Sequence, residues 1–118
     1  MKLEDQNILF LTRTMKLGGT ENVVLQLCEI FKPLVNNVIV CSCGGVNEQK
    51  LKEMGIKHYT IPDISEKNPR SIVKTIITIK KIVDKEDITI VHSHHRMAAL
   101  YAELICDKNI LKIANAHN

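Results

Sequence analysis

Short, nearly continuous apolar runs alternate along the chain with longer stretches whose apolar positions recur every three or four residues. Residues 7–13 (NILFLTR) form the first run, the pattern of a strand buried on both faces of a parallel sheet. A loop over residues 14–19 ends in a glycine pair. Residues 20–32 then set Val23, Val24, Leu27, Cys28 and Phe31 on one face, which predicts a helix that Pro33 stops. Residues 37–42 (NVIVCS) read as a second buried strand, closed by Gly44 and Gly45. A short helix over residues 48–54 follows, with Gly55 suited to its C-terminal cap. Residues 57–61 alternate and predict a third strand, ended by Pro62.

Asn68-Pro69 opens a longer helix running to about residue 84, with proline at its favoured first position. At about 100° per residue, Arg70, Lys74, Lys81 and Lys85 fall in a stripe about 60° wide, and Ile72, Val73, Ile76, Ile79, Ile82 and Val83 are expected opposite it. The stripe has two readings, a solvated helix face or a contact with an anionic membrane. Residues 88–92 (ITIVH) predict a fourth strand, 97–106 a helix and 111–115 a fifth strand. Strands alternating with helices imply an α/β fold, a Rossmann-like open parallel sheet of about five strands with helices on both faces and right-handed crossovers. The chain stops where its last strand should hand over to a loop, so the sheet is expected to be truncated.

A length of 118 residues allows one domain. Ile and Val supply 25 of the apolar residues, which agrees with a sheet-containing core. The net charge of +3 and four aromatic residues (Phe10, Phe31, Tyr59, Tyr101) give neither the charge nor the stacking surface for nucleic acid. No signal-peptide core and no apolar run of about 20 residues is present, so a cytoplasmic protein is expected. Its four cysteines would then be reduced. Cys41 and Cys43 form C-x-C rather than C-x-x-C and are read as small hydrophobes.

Ligands of open parallel sheets bind beyond the carboxyl ends of the strands, so the bends after each strand are the places to search. The first holds Gly18, Gly19 and Glu21. It is neither G-x-G-x-x-G nor a Walker loop, but glycines admit a close ligand and the helix start beyond them suits a phosphate. Plain turn geometry also explains a glycine pair, and Glu21 suits the helix dipole. The fourth bend is His92-Ser93-His94-His95-Arg96. H-x-H can ligate a metal, yet no carboxylate lies between Thr89 and Ala102, so no metal site is expected. Imidazoles and an arginine suit hydroxyls and phosphates better, with His92 read as a packed strand-end residue. After the fifth strand comes His117. Gly19, His94 and His117 share an edge if strands one, four and five are neighbours. His58 has no evident partner and is read as incidental.

The segments ILFLTRTMKLGGTENVVLQL, NPRSI, ITIVHSHHRMAALYAEL and KIANAHN, in this order and spacing, resemble the amino-terminal domain of family-4 retaining glycosyltransferases of the GT-B fold. The resemblance covers about residues 7–118. It implies that residues 1–118 are a partial, acceptor-side amino-terminal domain whose carboxyl-terminal donor domain is absent, so that the isolated chain is inactive. The implied reaction is transfer of a hexose-type unit from a nucleotide-sugar to a hydroxyl of a saccharide or lipid-linked acceptor, with retention and without metal or cofactor. It matches Gly18 and Gly19 to the loop approaching the donor diphosphate, and His117 to a catalytic histidine contacting the donor sugar. It matches His94, His95, Arg96 and Asn118 to the acceptor site. Peripheral contact at the inner face of a membrane fits such acceptors. The competing expectation is a non-catalytic α/β nucleotide- or ligand-binding module.

Overall fold

A computed structural model describes residues 2–16 and 18–114. The expected elements form, within about two residues at each end: β1 (Asn7–Leu11), α1 (Gly19–Phe31), β2 (Asn37–Ser42), α2 (Glu48–Glu53), β3 (Lys57–Thr60), α3 (Pro69–Lys85), β4 (Ile90–Ser93), α4 (Arg96–Ile105) and β5 (Leu111–Ala114). A short 3-10 turn, Leu3–Asp5, precedes β1 without any signal in the apolar pattern. β4 starts two residues later than its apolar run. Ile88 still donates its backbone N–H to Val83 O at the end of α3 (3.0 Å), and Asp87 turns the chain with φ 52°.

The five strands pair in parallel in the order β3-β2-β1-β4-β5. The chain first builds outward from β1 through β2 to β3, then crosses back to lay β4 on the other side of β1. That reversal is the switch point at which open α/β sheets bind ligands.

Alternation along the strands makes two cores. Ile8 and Phe10 of β1, with Val38 and Val40 of β2, face Val24 and Cys28 of α1 and Leu51 of α2. Leu9 and Leu11, with Ile39 and Cys41, face Ile79, Ile82 and Val83 of α3 and Ala98, Tyr101 and Ala102 of α4. Both faces of the sheet are thus covered, which is why β1 is buried along its whole length. Cys41 is fully buried and acts as the small hydrophobe expected of it, whereas Cys43, expected to do the same, is only half-buried; Cys28 is fully buried on the apolar face of α1.

One helix differs from its expectation. Val73 is 55% exposed and Ile77 49% exposed, so Val73 leaves the buried side of α3. The reason is angular: Val73 sits about 60° and Ile77 about 20° from Arg70, closer to the basic stripe than to Ile79.

Candidate functional site

Because the strands are parallel, all their carboxyl ends reach one edge. There the backbone of His94 donates to Leu11 O (2.9 Å), Thr12 N to Cys41 O (3.1 Å) and Cys43 N to Arg13 O (2.9 Å). The bend after β1 is therefore flanked by the bend after β4 on one side and the bend after β2 on the other. β5 ends beside β4, with Ala114 opposite Ser93. The condition that strands one, four and five be neighbours is met. His117 and Asn118 lie outside the described residues.

Gly18 caps α1 and Gly19 is its first residue. Gly18 is extended, with φ 171°, and neither glycine is in the left-handed region. Among the described residues, nothing lies within 4 Å of where a Cβ on Gly19 would sit. A Cβ on Gly18 would meet only the Glu21 carboxylate, 2.8 Å from Oε1. Local packing therefore does not demand glycine at position 19. Glu21 also accepts the Thr14 hydroxyl at Oε2 (2.6 Å), which ties the two ends of the loop together. A phosphate approaching this helix start would share it with a carboxylate, so the amides there have to outweigh that charge.

The second glycine pair differs. Gly45 has φ 154°, and a Cβ on it would fall 2.3 Å from the Met15 carbonyl carbon. Gly44 O accepts from Met15 N (3.0 Å), while Asn47 N donates to Met15 O (2.8 Å) and Asn47 Nδ2 to Lys16 O (3.1 Å). The bend after β2 is the bracket on which the bend after β1 hangs. The sequence signal was a second glycine pair just beyond the neighbouring strand.

That bracket is held by His58, which is not incidental as its lack of an evident partner in the sequence suggests. Val40 of β2 stands opposite His58 of β3. From there the His58 ring lies 2.6 Å from Ser42 Oγ at Nε2 and 3.3 Å from Glu48 Oε1 at Nδ1. Ser42 Oγ accepts from Gly44 N (3.0 Å) and Glu48 Oε2 from Gly45 N (3.0 Å). With Ser42 donating to Nε2 and Nδ1–H donating to Glu48, the ring of bonds closes around a neutral imidazole. Burial pushes the His58 pKa down, against the raising effect of Glu48. Ser42 is fully buried, so this serine, histidine and carboxylate brace a turn and offer no accessible nucleophile.

In the bend after β4, His94 is 1% exposed, with ring centroids 4.3 Å from His92 and 5.9 Å from Phe10. His92 is only half-buried. The more deeply packed histidine is thus His94, beneath the rim, rather than His92. His95 caps α4, its Nδ1 accepting from Met97 N (3.1 Å). Burial first, then Arg13 and Arg96, push its pKa down, which suits a ring that must stay neutral to accept; Asp63 opposes them. Arg96, the first residue of α4, is exposed.

Arg13 grips Asp63 with two bonds of 2.9 Å. The guanidinium holds the Asp63 carboxyl far below the usual range. Beyond it a groove of about 580 Å³ opens at the end of β3, bordered by Thr60, Asn68, Arg70, Ser71 and Lys74. Among the described residues no cluster of three or more His, Cys, Asp or Glu is arranged to hold a metal ion. No described helix is long and apolar enough to cross a membrane.

The family model for Glycosyltransferase Family 4 matches residues 17–118. No curated protein matches the chain in sequence. Among solved structures it is similar to a glycosyltransferase from Rickettsia africae ESF-5, with TM-score 0.73 and 20% identity over 92% of this chain and 29% of that one. It is similar to MurG of Acinetobacter baumannii, with TM-score 0.66 and 15% identity over 94% and 35%. It also resembles Anabaena Alr3699/HepE, solved in complex with UDP and glucose, with TM-score 0.65 and 13% identity over 85% and 26%. The chain spans between 26% and 35% of the length of these three proteins. At such identities the likeness establishes the fold.

Proposed function

The chain belongs to glycosyltransferase family 4, and from that premise we propose that it is the acceptor-side amino-terminal domain of a GT-B enzyme. In this reading the rim at the ends of β1, β4 and β5 forms half of a cleft. A carboxyl-terminal domain brings a nucleotide-sugar to it from the other side. A hexosyl unit passes to a hydroxyl of a saccharide or lipid-linked acceptor with its anomeric configuration kept, the acceptor coming from solution or from the inner face of a membrane.

The observation that carries this reading is the unconstrained glycine at the rim. Gly45 is glycine because the backbone of Met15 leaves no room for a side chain, and Gly55 because its φ of 73° is left-handed. Among the described residues Gly19 has neither reason. A position without a fold-based need for glycine, at the start of a 13-residue helix and beside the switch point, fits a backbone that a ligand approaches closely.

Each role follows from chemistry. The N–H groups of Gly18, Gly19 and the first turn of α1 approach the leaving diphosphate and stabilise its developing charge. His117 contacts the donor sugar. Arg96, exposed at the start of α4, and Asn118 face the acceptor, with His95 holding the helix start that presents Arg96. His94 supports that bend from below. Closure of the two domains excludes water, which limits hydrolysis of the donor.

The test joins this chain to the donor domain of a family-4 transferase and screens a panel of nucleotide-sugars against saccharide and lipid-linked acceptors. Transfer with retained anomeric configuration, read by NMR of the product, is expected. Inversion would remove the retaining assignment. A well-folded fusion without transfer, together with tight binding of nucleotide or flavin by the chain alone, would replace the reading with that of a binding module.

A further inference from the structure

The exposed side of α3 carries a surface to which the proposed transfer assigns no residue. Arg70, Val73, Lys74, Ile77 and Lys81 line one shallow furrow along the helix, with no acid among its lining residues. Their spacing of three, four, seven and eleven residues from Arg70 sets them on a single face. Val73 and Ile77 are about half exposed within it, while Ile79, Ile82 and Val83 anchor the opposite face in the core. Five cations and one acid give α3 a net charge of +4, more than the +3 of the whole chain. The acid, Asp84, is taken up by Lys80 at 3.2 Å. Arg70, Lys74 and Lys81 take part in no ion pair among the described residues.

We propose that this face of α3 docks the chain on an anionic phospholipid surface, with the helix axis in the membrane plane. Charge complementarity selects the occupant. Cations flanking exposed branched side chains suit the headgroup region, where ammonium and guanidinium groups meet phosphates while Val73 and Ile77 enter the acyl boundary. A second copy of the same face would set six cations of Arg70, Lys74 and Lys81 against one another, which opposes self-association. The four-aromatic composition argues against nucleic acid.

The geometry also orients the molecule. α3 is the next element after β3, reached through residues 61–68 at the edge of the sheet that bears the glycine and histidine bends. Arg70 and Lys74 border both the furrow and the groove at the end of β3. Docking through α3 therefore holds that rim beside the lipid surface. The proposal locates the membrane contact of the preceding reading, yet its test uses neither donor nor acceptor, so either can fail without the other.

The test is flotation of the chain with vesicles of phosphatidylcholine alone and of phosphatidylcholine mixed with phosphatidylglycerol. Binding to the mixed vesicles, weakening as salt is raised, is expected, with little binding to phosphatidylcholine alone. Lys74→Gln and Lys81→Gln should each weaken it about fivefold, and the pair about 25-fold. Val73→Ser with Ile77→Ser should weaken it as well. All four positions are exposed, and far-UV circular dichroism confirms folding. No binding to mixed vesicles, equal binding to both vesicles or binding unaffected by these substitutions overturns the proposal. So does association of the chain with itself through this face, or retention on an acidic protein without retention on vesicles.

Discussion

Gly45 packs its Cα against the Met15–Lys16 peptide so tightly that a Cβ would lie 2.3 Å from the Met15 carbonyl carbon. Nothing flexible stands there to yield, because the obstacle is backbone held by Asn47 and Gly44. Gly45→Ala should destabilise the chain by about 2 kcal/mol or more, from the clash together with the cost of φ 154°. Urea denaturation measures it. A variant within a few tenths of a kcal/mol of the parent would contradict the bracket between the two bends.

Acid should loosen the same bracket. The folded pKa of His58 lies below its ordinary 6.5, chiefly through burial, and that of His95 lies below it for the same first reason. The unfolded chain therefore binds more protons in this range. The contribution of each histidine is complete above its unfolded pKa and is lost as pH falls through 6.5 towards the folded value. Thermal melting should show stability declining on the acid side of neutrality, less steeply in His58→Gln. An identical acid-side slope in that variant would exclude His58 from the effect.

His95 caps α4 through Nδ1. His95→Ala should cost about 1 kcal/mol, while His95→Asn, which keeps an acceptor at the cap, should restore most of it. Chemical denaturation of the two variants separates capping from bulk. Equal losses would show that the ring matters for packing and not for the cap.

The thiols should divide sharply. Burial pushes Cys28 up to about 12 and Cys41 higher still, and neither has exposed surface. Cys43 is half-buried at the rim. Ellman's reagent should modify Cys43 in the native chain and reach Cys28 and Cys41 only after denaturant is added. Prompt reaction of Cys28 or Cys41 in the folded chain would contradict the packing of both cores.

What could be read from sequence follows the range of the signal. β1 and β2 are visible because burial on both faces writes a continuous apolar run into neighbouring residues. α3 is visible from Pro69 and its periodicity, yet the side on which Val73 falls is not, because it lies near the boundary of the apolar face. The role of His58 was invisible. Its partner Ser42 is 16 residues away and comes within reach only because β2 and β3 pair in parallel in one register. The depth of His94 under the rim was hidden for the same reason, since Phe10 covers it from β1. Bends with glycine and histidine could be picked out along the chain. Which bend supports which depends on strand order, and local patterns do not encode that.

The central claim is that Gly19 is glycine for the sake of a ligand. The most direct measurement is the transfer rate of the chain joined to a donor domain, with Gly19→Ala compared against the parent. Alanine at a helix start, where no described residue comes within 4 Å of the added Cβ, should leave stability unchanged or raise it by up to about 1 kcal/mol. Transfer should nevertheless fall about a hundredfold, the loss expected when reacting groups are displaced by about 1 Å. Transfer at the parental rate by a folded Gly19→Ala chain would contradict the account.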